Sequence, residues 1–458
     1  MSAYPSVTAM IGGTPLLQLS KFDTGPCRLF LKLENQNPGG SIKDRIGLSM
    51  IEAAERDGLI RPDGTIIEAT AGNTGLGLAL VAAQKGYRML VIVPDKMSQE
   101  KIFHLKALGA EVMMTRSDVV KGHPDYYQDL AERLSREIDN SFWANQFANP
   151  ANPAAHERGT GPEIWRQTDG QVDAVVCGVG SGGTITGLAR FFRTVKPEIE
   201  MILADPEGSI LAGLVNEGKA GDLGSWQIEG IGEDFVPPNF DPQLVNRAYA
   251  IADRESLSTA RELLVREGIL AGSSSGTLLA AALRYCRQQT TAKTVVSFVC
   301  DSGNKYLSKM FNDHWLADQG FLDRPRHGDL RDLISRSIED RAVVSAKPDD
   351  TLLIAYGRMR MADVSQLPVL EGERIVGIID ESDLLLALHH HEERFDAPVS
   401  RFMTDKLEMI SPEQPIDDLL PILRADRVAI VVENGHFLGL ITKVDLLNQL
   451  RRKAAGDT

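Results

Sequence analysis

The stretch TIIEATAGNTGLGLALVAAQKGYRMLVIVP, residues 65–94, contains the repeating unit from which the fold of this chain can be inferred. It opens with an apolar run (65–70), turns through glycines into a helix-length segment that ends near Lys85, and closes with a second apolar run (88–94). Strands that are apolar throughout and separated by helices are typical of parallel sheets covered on both faces. The stretch therefore predicts an α/β fold.

The same alternation continues on both sides of this stretch. Further strand-length apolar runs occupy residues 29–34, 111–115, 172–180 and 200–206, and helix-length segments occupy residues 41–57, 74–85, 98–108 and 184–195. Ligands of such folds bind at the carboxyl ends of the strands. The glycine-rich turns that follow these strands are therefore the candidate ligand contacts.

Composition excludes several classes of protein. The chain has 458 residues, 43% of them hydrophobic, and a formal net charge of −14 without a basic block, which argues against binding of nucleic acid or of an anionic membrane. Residues 1–17 lack the features of a signal peptide, and no long apolar span follows. The four cysteines form no CxxC motif, so no metal site is expected. These features predict a cytoplasmic globular protein.

The pattern changes after Trp315. Residues 318–337 are polar and are predicted to be a linker. Beyond it, LPVLEGERIVGIIDESDLL (367–385) matches AIVVENGHFLGLITKVDLL (429–447) at a constant offset of 62 residues. Units this small bury little alone, so the two copies should pack together with a cleft between them. The predicted domains are a catalytic domain (1–317), a linker (318–337), a first repeat (338–397) and a second repeat (398–458).

Lys43 lies in the first of four notable turns, NPGGSIKDR (37–45), between a predicted strand and a predicted helix. Most lysines are surface charges, but this one follows two glycines, which allow close backbone approach, and it adjoins the apolar Ile42. An amine held in a partly desolvated place is shifted toward its neutral form, which a Schiff-base nucleophile requires. Lys43 is therefore the candidate nucleophile.

Two further turns also join a strand to a helix. The turn TAGNTG (70–75) places backbone N–H groups and the hydroxyls of Thr70 and Thr74 where a carboxylate binds well, although a simple tight turn is the alternative. The turn GVGSGGTITG (178–187) leaves several N–H groups uncovered and suits a phosphate. Dinucleotide sites look similar, and Asp205 ends the next strand, so a Rossmann fold stays open on this turn alone.

The fourth turn, EGILAGSSSGT (267–277), precedes a helix that Ser274 or Ser275 can cap. In order and spacing, the four turns resemble those of the fold-type II pyridoxal phosphate enzymes, which include cysteine synthases and cystathionine β-synthases. The resemblance runs from about Thr14 to Asn304. It implies Lys43 as the Schiff-base lysine, Asn73 on the phenolate oxygen of the cofactor, Gly180, Ser181, Gly182, Gly183 and Thr184 on its phosphate, Ser274 on its pyridine nitrogen, and Thr70, Ala71, Gly72, Thr74 and Gln146 on the substrate carboxylate.

Ser274 carries a mechanistic implication of this resemblance. A hydroxyl is too weak an acid to protonate the pyridine nitrogen, so the ring is a poorer electron sink and transamination is disfavoured. Loss of a group from Cβ remains accessible, with Lys43 placed to take the α-proton. The segments DPEGSIL (205–211) and EGIGEDFVP (229–237) resemble cystathionine β-synthases most. The implied reaction condenses L-serine with L-homocysteine to L-cystathionine and water, with hydrogen sulfide production from cysteine as a further output.

The C-terminal pair resembles the CBS domains of those enzymes, in which a GhhTxxD stretch binds ribose. The second copy matches with Gly439, Thr442 and Asp445, whereas in the first copy Asp383 matches but Asp380 replaces the Thr. A carboxylate there would repel phosphates. The resemblance implies an adenosyl ligand between the repeats, best held at Thr442 and Asp445; a purely structural dimerisation module is the alternative.

Several departures from the family keep alternatives open. The segment that carries haem in animal enzymes has no counterpart, so pyridoxal phosphate without haem or metal is expected. Ala71 stands where a Ser is usual, and Glu233 and Phe147 stand where animal enzymes carry Tyr, which bears on the second substrate. O-acetylserine as the donor is one alternative. A nucleotide sensor with an inactive catalytic half is another, which Lys43 and Asn73 argue against. A homodimer or larger homo-oligomer is expected.

Overall fold

The chain folds as two compact units, Met1–Phe311 and Asn312–Thr458. The computed structural model describes residues 3–70, 72–95, 99–119, 122–323, 326–339 and 341–454. Within these residues, no helix has the length and apolarity needed to cross a membrane.

The first unit is built from two sheets. Its strands are β1 (Leu16–Gln18), β2 (Arg28–Leu33), β3 (Thr65–Ala69), β4 (Arg88–Pro94), β5 (Glu111–Thr115), β6 (Ser141–Trp143), β7 (Ala174–Cys177), β8 (Glu200–Pro206), β9 (Arg247–Ile251) and β10 (Thr294–Val299). One sheet has the order β1-β2-β10-β7-β8-β9 and the other the order β5-β4-β3-β6. Pairing is parallel except between β1 and β2. The predicted α/β class with parallel sheets is confirmed.

Helices separate most of these strands. They are α1 (Lys43–Arg56), α2 (Asn73–Lys85), α3 (Gln99–Ala107), α4 (Tyr127–Glu137), α5 (Ala151–Ala155), α6 (Gly161–Gln167), α7 (Gly183–Val195), α8 (Leu211–Glu217), α9 (Asp253–Glu267) and α10 (Ser273–Arg287). A π-helical turn, His156–Thr160, lies between α5 and α6. Residue 98, which the sequence placed in the third helix, lies outside the described residues.

Both faces of the four-stranded sheet are covered, which explains its continuous apolar strands. Ile66 and Val91 belong to a buried cluster with residues of α1 and α2. Ile67 and Ile92 point to the other face and pack with Leu130 of α4. Because neighbouring residues of a strand face opposite sides, a strand buried on both sides is apolar at most positions, and Glu68 of β3 is a buried exception.

Two glycines bring α1 and α2 into backbone contact. A Cβ atom on Gly47 would lie 2.7 Å from the carbonyl carbon of Gly77, and a Cβ atom on Gly77 would lie 2.7 Å from the carbonyl oxygen of Lys43. No side chain fits at either position without separating the helices. Each glycine lies four residues after the first residue of its helix, so the contact holds the starts of α1 and α2 together.

The second unit contains the repeated sequence. Its strands are β11 (Gln366–Glu371), β12 (Arg374–Asp380), β13 (Met409–Ile410), β14 (Ala429–Glu433) and β15 (His436–Ile441), and its helices are α11 (Asp313–Asp318), α12 (Leu352–Ala362), α13 (Glu381–Leu388), α14 (Leu419–Arg424) and α15 (Lys443–Ala454). Each copy forms an antiparallel hairpin followed by a helix. Leu370, Ile375 and Ile378 of the first copy share a buried cluster with Ile430 and Phe437 of the second.

Part of the segment predicted as a linker packs in a hydrophobic core. Residues 318–337 include the last residue of α11, Asp318, and a 3₁₀ turn, Leu330–Leu333, and the side chains of Leu330, Leu333 and Ile334 lie in the core of the second repeat. The segment before the first repeat therefore packs on the second. Conversely, Val399 of the predicted second repeat packs in the core of the first repeat. The boundaries of the individual domains otherwise remain predictions.

This exchange generates a stability prediction. A Cβ atom on Gly439 would lie 2.4 Å from Cγ2 of Ile334, whereas one on Gly357 in α12 meets no atom within 4 Å. We expect Gly439→Ala to destabilise the second unit by about 1–3 kcal/mol, because overpacking displaces Ile334. Gly357→Ala should be neutral or should stabilise by about 0.5–1 kcal/mol, since it replaces a helical glycine. Calorimetric unfolding compares the two, and equal effects would contradict the packing described.

Candidate active site

A cavity of the first unit brings together the four turns that the sequence singled out. Other walls of this cavity are formed by the loop 229–231, by Leu278 and by Phe298 and Cys300 at the end of β10. The lining residues that come from the four turns are Ile42, Lys43, Asn73, Gly178, Gly180, Ser181, Gly182, Gly183, Thr184 and Ser274. The turns with Lys43 and Gly180 follow β2 and β7 of the six-stranded sheet, whose carboxyl ends meet at one edge, whereas the turn with Asn73 follows β3 of the four-stranded sheet and the turn with Ser274 precedes α10.

Lys43 is the first residue of α1. The Oγ atom of Ser41 accepts a hydrogen bond from its backbone N–H at 3.2 Å, and the preceding residue, Ile42, donates its N–H to the carbonyl of Cys300 at 2.8 Å. Burial lowers the pKa of the Lys43 amine, and nearby acidic groups such as Asp301 and Glu233 oppose that shift only in part. The amine is therefore shifted toward its neutral, nucleophilic form.

Asn73 begins α2 with its side chain fixed at both ends. Its Nδ2 donates to Oδ2 of Asp301 at 2.8 Å, and its Oδ1 accepts from Nζ of Lys305 at 2.6 Å. A lysine can only donate, so it fixes which end of the amide carries oxygen. One hydrogen of Nδ2 is used by Asp301, and the other is left for an acceptor in the cavity.

The loop from Gly180 to Thr184 can approach an anion closely because its glycines have no side chains. The surrounding residues leave no space for a Cβ atom at Gly180 or Gly182. Gly182 has a φ of 81°, and a Cβ atom on it would lie 2.6 Å from Cβ of Phe240. A Cβ atom on Gly180 would lie 2.5 Å from the carbonyl oxygen of Gly230. The loop leads directly into α7, whose first N–H groups have no partners within the helix. Such a cradle suits a phosphate.

Ser274 lies at the start of α10 beside Cys300. Burial raises the pKa of the Cys300 thiol to about 12, and a hydrogen bond with Ser274 opposes this shift. The neighbouring Ser275 accepts a hydrogen bond from the backbone N–H of Cys300 at 2.9 Å. Cys300 therefore stays a neutral thiol at neutral pH, and a neutral thiol is a poor nucleophile.

The predicted carboxylate-binding residues gather at the start of α2. Oγ1 of Thr74 donates to Oε1 of Gln146 at 2.6 Å, and Oγ1 of Thr70 accepts from the N–H of Gly72 at 3.1 Å. Thr74 and Gln146 are buried. Ala71 lies outside the described residues. Together with the N-terminus of α2, the described groups form a polar rim beside Asn73.

Asp205 does not have the place that a dinucleotide-binding fold requires. Its carboxylate is buried and accepts a hydrogen bond from the N–H of Ala212 at 2.8 Å, near the start of α8. It is not part of the cavity lining. The acidic residue therefore supports a helix, and the Rossmann alternative loses its support.

The second unit contains the predicted nucleoside-binding residues. Oδ2 of Asp445 accepts from the backbone N–H of Thr442 at 2.7 Å and from its hydroxyl at 2.6 Å, while Oδ1 accepts from Ser335 at 2.6 Å. In the first repeat, Asp380 and Asp383 form a reciprocal capping box at the start of α13. Both repeats thus keep a carboxylate at the start of the helix that follows their hairpin.

Four residues at the site went unnoticed in the sequence. Asp301 and Lys305 hydrogen-bond to the side chain of Asn73 from more than 200 positions away in the sequence. Asn152 contacts Ser181, and His156 contacts Thr184, in the loop from Gly180 to Thr184. The apolar run before Asp301 could have suggested it as a residue at the carboxyl end of a strand. The other three lie in segments without hydrophobic periodicity or a strand end.

Comparison with known proteins gives matches over most of the chain. A family model described as "Pyridoxal-phosphate dependent enzyme" matches residues 7–301, and one described as "CBS domain" matches residues 332–390 and 399–452. A cystathionine beta-synthase of Dictyostelium discoideum is 38% identical over 96% of this chain and 91% of its own.

Two solved structures are each 37% identical to this chain with a TM-score of 0.62. A hydrogen sulfide-producing enzyme of Fusobacterium nucleatum covers 67% of this chain and 100% of its own. An O-acetylserine dependent cystathionine beta-synthase of Helicobacter pylori covers 68% and 99%.

Glu68, in β3 below the polar rim, is the buried acid with the clearest consequence for pH. Burial raises its pKa from an ordinary value near 4.5 to about 8, although the backbone N–H groups of Gln146, Ala69 and Asn145 hydrogen-bond to it. Between these two pH values the folded state binds the proton more tightly than the unfolded state. The contribution of Glu68 to stability is therefore lost as pH rises from about 4.5 to about 8.

We expect Glu68→Gln to weaken the fall in unfolding temperature between pH 5.5 and pH 8.5, because the amide has no proton to lose in this window. Thermal unfolding at both pH values measures this difference. The exposed Glu198 provides the control, and Glu198→Gln should retain the pH dependence of the unsubstituted protein. An undiminished pH dependence in Glu68→Gln would contradict the raised pKa.

Proposed function

The chain belongs to the family of pyridoxal-phosphate-dependent enzymes and carries paired CBS domains, and on this premise we propose that it condenses L-serine with L-homocysteine. The products are L-cystathionine and water. The observation that carries the proposal is the convergence of the buried Lys43 amine, Asn73, the glycine loop at α7 and Ser274 on one cavity. The name of the Dictyostelium relative supports it over nearly the full chain.

The residues of the cavity fit pyridoxal phosphate. The loop from Gly180 to Thr184 would hold the phosphate, Asn73 would donate its second amide hydrogen to the phenolate oxygen, and Ser274 would face the pyridine nitrogen. Lys43 would hold the aldehyde carbon. When bound, this cofactor supplies an electron sink that stabilises negative charge at Cα of an amino acid.

Lys43 has two roles in this proposal. Its amine would hold the cofactor in the resting enzyme, for which the burial that lowers its pKa is favourable. Once the substrate amine has taken its place, the freed amine of Lys43 accepts the proton from Cα and delivers a proton to the departing hydroxyl. The bond between Cβ and oxygen breaks and water leaves. The thiol sulfur of homocysteine then bonds to Cβ, and a proton returns to Cα.

Ser274 favours this outcome over transamination. Its hydroxyl would hydrogen-bond to the ring nitrogen of a bound cofactor without protonating it, so negative charge at Cα would be short-lived. Departure of a group from Cβ relieves that charge. The carboxylate of the substrate would meet Thr74, Gln146 and the N-terminus of α2, where the helix dipole favours an anion. Thr70, Ala71 and Gly72 complete the proposed carboxylate site.

An O-acetylserine-dependent reaction is the second candidate. The Helicobacter pylori neighbour, an enzyme described as O-acetylserine dependent, favours it. Acetate would then leave instead of water, and sulfide or homocysteine would attack. The Fusobacterium nucleatum neighbour supports hydrogen sulfide production from cysteine as a further output. To distinguish the candidates, one purified preparation is offered serine and O-acetylserine, each with homocysteine, and cystathionine is measured. The proposed function expects cystathionine from serine.

We further propose that the protein is a cytoplasmic homo-oligomer, dimeric or larger, and that it works without haem.

We expect Lys43→Ala to lower turnover by roughly a thousandfold or more and to remove the visible absorption of the lysine-bound cofactor, since no other amine can replace Lys43. Steady-state kinetics and absorption spectra measure both effects. Lys43→Arg keeps the positive charge but should be equally inactive. The matched control is Lys85→Ala, at a partly exposed ion pair with Glu55, which should retain activity and colour. Substantial turnover in Lys43→Ala would refute the assignment.

The CBS pair is proposed to bind an adenine nucleoside ligand, S-adenosylmethionine or an adenylate. The better site is the second repeat, where Thr442 and Asp445 adjoin one another and Asp445 can exchange its bond with Ser335 for ribose hydroxyls. In the first repeat, the carboxylates of Asp380 and Asp383 stand together and would repel a phosphate. Such a ligand alters catalysis only if it binds two conformations of the protein unequally.

Calorimetric titration tests this site. Asp445→Asn should weaken binding of S-adenosylmethionine or AMP by about tenfold or more, because a charge-assisted acceptor for the ribose hydroxyls is lost. Asp383→Asn makes the same change in the other repeat and should leave S-adenosylmethionine binding intact. If neither ligand releases heat with the unsubstituted protein, the module has a structural role only.

A further inference from the structure

Ser181 and Thr184 are the two residues of the loop from Gly180 to Thr184 that carry hydroxyl groups. Each hydroxyl contacts a buried polar side chain of α5 or of the π-helical turn that follows it. Ser181 contacts Asn152 of α5, and Thr184 contacts His156 of the π-helical turn. Asn152 and His156 are each only 1% exposed, so each needs a hydrogen-bond partner inside the protein. The four residues form two pairs behind the loop.

The amide of Asn152 can be oriented in only one way. Its Nδ2 lies 2.7 Å from the carbonyl oxygen of Gln146, which can only accept, so the nitrogen must face it. The same nitrogen lies 2.8 Å from Oγ of Ser181 and donates its second hydrogen there. The hydroxyl oxygen of Ser181 thus accepts a hydrogen bond from Asn152, and the hydroxyl hydrogen of Ser181 is left to point into the loop.

His156 is placed to do the same for Thr184. Its Nδ1 lies 3.0 Å from Oγ1 of Thr160, and its Nε2 lies 3.2 Å from Oγ1 of Thr184. Burial lowers the pKa of His156 well below its ordinary range, so the ring is neutral and has one N–H. With that hydrogen on Nε2, Thr160 donates to Nδ1 and the hydroxyl of Thr184 keeps its hydrogen for a ligand.

Close packing keeps the segment against the loop. A Cβ atom on Gly183 would lie 1.9 Å from Oδ1 of Asn152, and one on Gly187 would lie 2.1 Å from the carbonyl oxygen of Pro153. Glycine at these positions of α7 lets α5 and the π-helical turn approach to hydrogen-bonding distance. π-helical turns are rare and often occur at functional sites, where they realign a side chain.

We infer that Asn152 and His156 are positioning residues that hold the hydroxyls of Ser181 and Thr184 as hydrogen-bond donors toward a phosphate monoester in the loop. A phosphate dianion presents only acceptors, so a hydroxyl that turned its lone pairs inward would repel it. The two partners therefore select phosphate over a neutral group. This inference rests on the proposed function, because it assigns Gly180–Thr184 as the phosphate site.

The test compares pyridoxal phosphate with pyridoxal, which has the same ring and aldehyde but no phosphate. The full chain, freed of cofactor, is dialysed to equilibrium against either compound, and the bound fraction is measured by absorbance. The quantity of interest is the ratio of the two dissociation constants. Changes confined to the phosphate contacts alter this ratio, whereas general loosening of the fold weakens both compounds alike.

The variants of His156 separate its two ring nitrogens. His156→Gln places an amide nitrogen near the position of Nε2 and should preserve the ratio. His156→Asn reaches only the position of Nδ1 and should reduce the preference for phosphate by about tenfold, as should the apolar His156→Leu. Thr184→Val removes the hydroxyl itself. Adding His156→Leu to Thr184→Val should cause no further loss, because both changes remove one contact.

The variants of Asn152 reverse the direction of one hydrogen bond. Asn152→Asp presents an acceptor to Ser181 and should reduce the preference for phosphate by roughly tenfold or more, and the neutral Asn152→Leu should reduce it to a similar extent. Circular dichroism and unfolding temperature of the cofactor-free variants identify any that fail to fold. His156→Gln, which keeps the donor, serves as the folded reference if His156→Leu unfolds.

The outcomes distinguish this inference from the proposed function. If the unsubstituted protein binds both compounds equally, the loop is not a phosphate site and the proposed site fails. If it prefers the phosphate compound but His156→Asn and Asn152→Leu keep the full preference, the site stands and the inference is overturned. Equal weakening of both compounds in these variants would also overturn it, because it would show an ordinary packing role.

Discussion

The contact between Gly47 of α1 and Gly77 of α2 is the constraint on which the site depends. These glycines bring the helix backbones so close that a Cβ atom on either one would lie 2.7 Å from a backbone atom of the other helix. Each lies one turn after the start of its helix. The contact therefore fixes the distance between Lys43 and Asn73, the first residues of α1 and α2. A side chain at either glycine would move Lys43 away from Asn73.

A buried ion network anchors the same end of α1 from below. Arg45, two residues after Lys43, pairs with Glu34 at 2.7 Å and with Glu163 at 2.7 Å, and Glu163 also pairs with Lys32 at 2.7 Å. Burial of such charges is costly, and the loss of one partner leaves another unpaired in the interior. The network therefore ties the start of α1 to β2 and α6. The position of Lys43 therefore depends on contacts between several elements of the first unit.

Much of this could be predicted from the sequence, for a definite reason. Lys43, Asn73, the glycine loop and Ser274 each follow an apolar run or precede a helix, and ligands of α/β folds bind at such turns. Asn152 and His156 could not be predicted, because the short α5 and the π-helical turn have no hydrophobic period and their partners are single hydroxyls. The packing of Leu330, Leu333 and Ile334 could not be predicted either, because their apolar pattern is too short and their partners are about 100 residues away.

The most direct test of the central claim is the fate of the hydrogen at Cα of serine. The unsubstituted protein is incubated with L-serine and L-homocysteine in deuterium oxide, and the product is analysed by NMR and mass spectrometry. Because the amine of Lys43 exchanges its protons with solvent, we predict cystathionine with deuterium at Cα of the half derived from serine. Cystathionine that retains the original hydrogen there would contradict proton transfer through Lys43, and the absence of cystathionine would contradict the proposed reaction.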